Sequence, residues 1–435
     1  MSRRYVIVGT GVAGLAAAEA IREEDPQGQI TLVGDDPDGY YSRPGLAYYL
    51  NKTIPEKQLF PLSSSAHYEL IPNRILAHVA QVTPNQHEIV LAGGRHMEYD
   101  RLLIATGSKA VALNFPGNDL QGVVKLYTLE DVRNIRKLAK RCYTAVVIGD
   151  GIIGIELAEG LAAYGVQVHI FMLGDRLWPM VLDETESRII EQGLLHSGIR
   201  VHPETQLAEA IGREGVLSAV VTKKDDKIAC QILGVAVGQF AQIELARQSG
   251  MVTERGIIVD EYLATSAEDI FAAGNVAQVR DSRTGTTWMD TLWATARRQG
   301  QVAGINMTGG HLIYTRDALF NIVRVGDIIT STIGTVEPDS LAIASSNRRN
   351  WLSVRQEEVD HEDKTNRVRV LIGERTIRGA IVMGDQTLAE PLFRMIQKET
   401  DISSIRSELA VDPERGIEVL ARFISKELDD IVCSS

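Results

Sequence analysis

Four β-formers, Tyr5-Val-Ile-Val8, run without a polar break into Gly9, Gly11 and Gly14, and then into the helix-forming stretch Leu15-Ala-Ala-Ala-Glu-Ala-Ile-Arg22. Gln29-Ile-Thr-Leu-Val33 follows as a second strand, closing at Gly34-Asp35-Asp36. The same order returns further on: strand Thr144-Ala-Val-Val-Ile148, glycines 149, 151 and 154, helix Ile155 to Tyr164, strand Val166 to Phe171. Between the two copies the pattern is strand-like from 73 to 91, with a turn at Gly93-Gly94. A buried strand from Tyr99 then ends in the small-residue turn Ala105-Thr106-Gly107. Thr128-Leu-Glu-Asp131 predicts a capped helix running to about Arg141. Past the second copy, strands are predicted at Val216–Thr222, Ile228–Val237 and Ile257–Asp260, and in the run ending at Gly274-Asn275. A helix over Thr291–Met307 follows. From about residue 313 the texture changes to alternating strands at 320–325, 328–333, 367–372 and 379–383, with helices at 387–400 and 416–428.

Each strand, Gly-x-Gly-x-x-Gly turn and helix makes a cradle for a pyrophosphate, which rests on the helix N-terminus. The first glycine permits the tight turn, the second lets the backbone approach the phosphates, and the third lets helix and strand pack closely. A carboxylate about twenty residues further on accepts ribose hydroxyls; Asp35 fits, with Asp36 in reserve. Two cradles in one chain point to a flavin dinucleotide and a nicotinamide dinucleotide that must meet. The second copy departs from the pattern: Met172 stands where the ribose acid belongs, and Asp150 lies between the cradle glycines. No arginine directly follows that strand and Arg176 sits late, so NADH and NADPH are not distinguished.

The fold class is α/β: two Rossmann-like dinucleotide-binding domains plus a C-terminal α+β interface domain. The expected boundaries are 1–115 and 251–312 for the first dinucleotide domain, 116–250 for the second inserted within it, and 313–435 for the interface domain. The 435 residues allow this many domains. A net charge of −12 argues against a nucleic-acid partner. No run of about 18 apolar residues appears, and no signal-peptide core opens the chain, so a cytoplasmic protein is expected. Cys142, Cys230 and Cys433 are far apart and offer neither a Cys-x-x-Cys pair nor a metal pattern; Cys142 and Cys230 read as core residues. No metal site is expected. The basic run Arg133 to Arg141 reads as a solvated face, and Arg348-Arg349-Asn-Trp351 as an exposed turn.

These motifs, in this order, resemble the FAD-dependent pyridine nucleotide–disulfide oxidoreductase superfamily, in the branch of rubredoxin and ferredoxin reductases, apoptosis-inducing factor and the flavin part of NAD(P)H nitrite reductases. Gly9 to Gly14 with Asp35 is similar to the FAD motif, Tyr41-Ser-Arg43-Pro44 to the loop under the flavin, and Ala105-Thr106-Gly107 to the small-residue motif. Gly149 to Glu156 is similar to the NAD(P) motif, Ile270 to Asn275 to the second FAD motif, and Trp293 to Gly300 to the closing helix. The resemblance implies FAD and NAD(P)H as cofactors, with Glu156 near the nicotinamide and the flavin N5 edge. Arg43 and Tyr48 would lie beside the flavin ring as further catalytic candidates, and Trp293 near its pyrimidine side.

Redox cysteines are missing: Pro44 stands where single-cysteine relatives carry the thiol. Tyr48 takes a position often held by lysine, Asn275 that of an aspartate, and Gln239-Phe-Ala-Gln242 that of an Arg-Pro-Asn. The reading favoured is an FAD-dependent oxidoreductase that moves a hydride from NAD(P)H to FAD and passes electrons to a redox protein or a larger redox complex. The alternative is an FAD-binding redox-sensing or structural subunit with a degenerate NAD(P) site. The C-terminal domain implies a homodimer.

Overall fold

The computed structural model describes residues 2–61, 73–280, 285–336, 352–359, 365–411 and 415–433. The chain divides into two compact units, each assembled from separate stretches. One comprises Met1–Ala112, Lys125–Ile135 and Gly238–Arg316; the other Leu113–Val124, Arg136–Val237 and Asp317–Ser435.

The first unit is centred on a parallel sheet in the order Ile270–Ala272, Arg101–Ile104, Arg4–Val8, Gln29–Gly34, Asn73–Leu76. Strand Arg4–Val8 is central and paired on both edges, which explains its unbroken apolar run: Tyr5 and Ile7 are fully buried. Helices Val12–Glu24 and Trp293–Met307 pack against each other. They can do so because Gly300 lies against Ala13, where a Cβ would fall 2.1 Å from the carbonyl oxygen. An antiparallel meander, Val79–Thr83, Glu88–Leu91 and His96–Glu98, resolves the strand-like stretch 73–91. The chain re-enters this unit at Gly238, ahead of the boundary expected near Gly250, and strand Gln239–Ala241 pairs with Ser108–Ala110.

The second unit holds a parallel sheet in the order Ile199–His202, Gln167–Phe171, Thr144–Ile148, Ile232–Val235, Val123–Val124. A meander of Leu207–Arg213, Val216–Thr222 and Lys227–Ala229 covers one face, with Phe171, Val146, Leu233 and the buried Cys230 between them. Further along lies a five-stranded antiparallel sheet in the order Phe320–Val325, Ile328–Gly334, Ile377–Met383, Thr365–Ile372, Leu352–Val359. Helices Ala389–Gln397, Ser403–Val411 and Gly416–Cys433 join it in one apolar core. Leu392 and Leu409, 1% and 0% exposed, anchor that core, each worth roughly 1.5–3 kcal/mol. Strand Thr365–Ile372 alternates strictly: Val368, Val370 and Ile372 join that helical core, and Arg367 and Arg369 point the other way.

The periodicity missed strand Leu352–Val359 and helices Gly45–Leu50, Glu184–His196 and Ser403–Val411. Arg348, Arg349 and Trp351 lie outside the described residues. Among the described residues no helix is long and apolar enough to cross a membrane.

Candidate functional site

In the first cradle the glycines have separable reasons. Gly9 sits at φ 122°, and a Cβ there would fall 2.1 Å from the Ala105 carbonyl oxygen; one on Gly14 would fall 2.1 Å from that of Gly9. The chain's own packing demands both. A Cβ on Gly11 would meet nothing within 4 Å, so no protein atom fills that space. Helix Val12–Glu24 has no side-chain cap and no acid in its first turn, so its leading N–H groups are offered to an anion. The residues fit a pyrophosphate. Asp35 is exposed just past strand Gln29–Gly34, with His78 Nδ1 3.3 Å from its carboxylate. Asp36 is engaged locally: its Oδ1 accepts from the Asp38 amide at 3.1 Å and its carbonyl from Arg74 at 2.9 Å.

Close packing of Gly9 on Ala105 brings the turn Ala105-Thr106-Gly107 beside the cradle. The turn is held by residues the motifs did not single out for it. Gln242 donates from Nε2 to the Thr106 carbonyl at 2.5 Å, and Thr106 Oγ1 donates to the Gln242 carbonyl at 3.1 Å. Ser108 Oγ donates to Gln239 Oε1 at 2.8 Å and accepts from Asn275 Nδ2 at 3.2 Å. The Tyr127 hydroxyl bonds Ser108, and Arg43 donates to the Tyr127 carbonyl at 2.9 Å with its guanidinium over the Tyr127 and Tyr41 rings. Arg43, Ser108 and Asn275 thus belong to one network. Gln239 and Gln242 thus bond within the first unit.

Burial pushes the Tyr41 hydroxyl up to about 12, against the pull of Arg43, so it stays protonated and accepts from the Leu129 amide at 3.1 Å. Tyr48 is exposed on helix Gly45–Leu50, whose other residues are buried. Trp293, also exposed, donates from its indole to the Tyr40 hydroxyl at 3.2 Å. Gly274 is fixed by the buried Gln299, which accepts its amide at 2.8 Å.

The second cradle repeats the first. Gly149 sits at φ 133° where a Cβ would fall 2.1 Å from the Ala236 carbonyl oxygen, a Cβ on Gly154 would fall 2.6 Å from that of Gly149, and one on Gly151 would meet nothing within 4 Å. Helix Ile152–Ala162 likewise has no side-chain cap and no acid in its first turn, so the residues fit a second pyrophosphate. Met172 is 1% exposed and turned inward. A carboxylate grafted there would be buried, whereas the neighbouring Leu173 is 70% exposed. The Asp150 carbonyl accepts the Trp178 amide at 2.6 Å. Glu156 is half-buried, and burial together with Glu159 one turn on pushes its carboxyl up to about 7. Glu159 in turn accepts the Gly326 amide.

Residues 3–300 match the model of the pyridine nucleotide-disulphide oxidoreductase family. The chain belongs to that family. Its members' pairing of FAD with NAD(P)H therefore holds for this chain, as does their oxidoreductase activity. The ferredoxin–NAD(+) reductase component of the 3-phenylpropionate/cinnamic acid dioxygenase of Photorhabdus laumondii subsp. laumondii is 31% identical over 318 residues, 71% of this chain and 78% of that one. The NAD(P)H nitrite reductase of Bacillus subtilis is 29% identical over 440 residues, 99% of this chain; the chain spans only 52% of that relative's length. Among solved structures, the NAD-dependent persulfide reductase of A. fulgidus superposes with a TM-score of 0.84 at 25% identity, covering 92% of this chain and 78% of that one.

Proposed function

We propose that this oxidoreductase takes a hydride from NAD(P)H at the second cradle, delivers it to FAD in the first, and passes the electrons to a separate redox protein. The observation that carries this reading is the duplicated cradle, complete in its packing glycines and open at Gly11 and Gly151. FAD, when bound, supplies acceptance of two electrons and their release one at a time. The chain supplies position: helix N-termini and the backbone at Gly11 and Gly151 receive the two pyrophosphates, and Asp35 accepts ribose hydroxyls. Arg43 and Asn275, rigid in one network, hold the flavin end with Ala105, Thr106, Gly107, Gly274 and Trp293, and Tyr48 is presented to the ring from its short helix. Glu156, its carboxyl pushed up to about 7, is available in both its protonated and its ionised form under neutral conditions.

The names of the relatives support a ferredoxin-like acceptor or the remainder of a larger redox complex. We place the chain in the cytoplasm and assign the C-terminal sheet and its helices to a homodimer. The test is anaerobic addition of NADH and then NADPH to the FAD-loaded protein while the flavin's visible band is followed. Rapid bleaching by either supports the reading and names the donor. A flavin that resists both yet bleaches with dithionite overturns it in favour of the redox-sensing or structural subunit.

A further inference from the structure

Arg369 is 1% exposed and its partner Glu186 0%. Nε donates to Glu186 Oε1 at 2.7 Å and Nη2 to Oε2 at 3.0 Å, a bidentate pair. The same Nη2 reaches the Val181 carbonyl at 2.8 Å and the Val336 carbonyl at 3.2 Å. Two strand positions back, Arg367 donates to Asp183 at 2.9 Å. Asp183 and Glu186 close a reciprocal cap on helix Glu184–His196. A buried ion pair is poor evidence of stability for its own sake, because desolvation offsets most of the attraction; its best-attested use is to fix a register.

The segment fixed here lies between strand Gln167–Phe171 and that helix. The Val181 and Leu182 amides both donate to the Trp178 carbonyl at 2.9 Å, the Leu177 amide donates to Ser187 Oγ at 2.9 Å, and the Trp178 amide donates to the Asp150 carbonyl at 2.6 Å. Trp178 holds φ 47°, a conformation that a tryptophan keeps only where its surroundings impose it. A continuous path of hydrogen bonds therefore runs from the C-terminal antiparallel sheet, through Val181 and Trp178, to the residue between the second cradle's glycines.

The geometry points to Arg369 and Arg367 as positioning residues for the nicotinamide dinucleotide: the C-terminal sheet sets the shape of the second cradle through residues 177–183. This rests on the reading of that cradle as the NAD(P)H site. It gives the C-terminal sheet a part in nucleotide binding, through these two arginines.

The test uses the full-length, FAD-loaded protein and calorimetric titration with NAD+ and NADP+, which bind without reducing the flavin. Arg369→Met should weaken binding of the better nucleotide by on the order of tenfold or more, with FAD content unchanged. In reduction kinetics the loss should fall on the apparent Kd for NAD(P)H and much less on the rate at saturation. Arg369→Lys keeps a charge opposite Glu186, but one ammonium cannot replace the fork that also reaches Val181 and Val336; it should restore Tm and only part of the affinity. Leu392→Ala, in the helical core of the same domain, is the control: it should lower Tm and leave affinity alone. Unchanged affinity in Arg369→Met, or a loss in Leu392→Ala proportional to its fall in Tm, overturns the inference and leaves the NAD(P)H reading standing. Failure of the wild-type protein to bind either nucleotide overturns both.

Discussion

The two cradles carry the same glycines in the same conformations, yet they end differently. In the first, the second strand runs out to Gly34 and an exposed, acidic Asp35. In the second, the equivalent strand is followed by the buried Met172, and the turn between the glycines is tied through Trp178 to a braced loop. The glycines specify a backbone shape that any dinucleotide pyrophosphate can use. The difference lies just past the second strand, where one cradle presents an exposed carboxylate and the other does not.

The comparison breaks most sharply at the packing glycines. Gly9→Ala and Gly149→Ala each force a Cβ to 2.1 Å from a carbonyl oxygen at a positive φ, at a cost on the order of 3 kcal/mol. The first should yield protein purified without FAD; the second should keep FAD and lose bleaching by NAD(P)H, both read from the visible spectrum. Gly11→Ala and Gly151→Ala meet no protein atom, so Tm should hold while binding of FAD or of the nucleotide falls by about 2 kcal/mol in the matching cradle.

Next comes Glu156. Its carboxyl titrates near 7 in the folded chain, against about 4.3 for an unperturbed glutamate, so the native state holds this proton more tightly than the unfolded state. The stability tied to it is complete below that lower value and is lost as the pH rises through 7. Glu156→Gln should flatten this part of the Tm profile, leave the protein more stable at pH 8 by about 1 kcal/mol after allowance for partial exposure, and remove an inflection near neutrality from the flavin-reduction rate. The smallest effect is expected at the ribose end. Leu173→Asp, at the exposed position, should favour NADH over NADPH by about 1 kcal/mol, or roughly fivefold in relative Kd; Met172→Glu should instead lower Tm by burying a charge.

Much of this was legible before any coordinate. Both strand–glycine–helix units, the capped helix after Thr128 and the turn at Ala105 stand where the pattern put them, and Thr128 and Asp131 exchange the expected cap bonds. Other elements were hidden for identifiable reasons. Helix Glu184–His196 carries its charge on a buried face, because Glu186 meets Arg369, so its apolar stripe is broken. Strand Leu352–Val359 is mostly polar along its length and gave no alternation strong enough to read. Gln239 and Gln242 fall within the bounds expected for the second domain, yet their hydrogen bonds run to Ser108 and Thr106 in the first unit.

The sequence by itself determined the two cradles, the acid at 35, the absence of a redox cysteine pair and the change of texture near 313. All of these are local: a strand, a turn and a helix within about thirty residues are encoded by periodicity and by glycines at set spacing. Tertiary structure decided that Met172 turns inward, that Tyr127 links Arg43 to Ser108, and that two arginines of the C-terminal sheet reach Val181 and Asp183. Periodicity states which face of an element is apolar but not which element, hundreds of residues away, will cover it; that choice is made only when the chain closes its core and every buried polar group must find a partner.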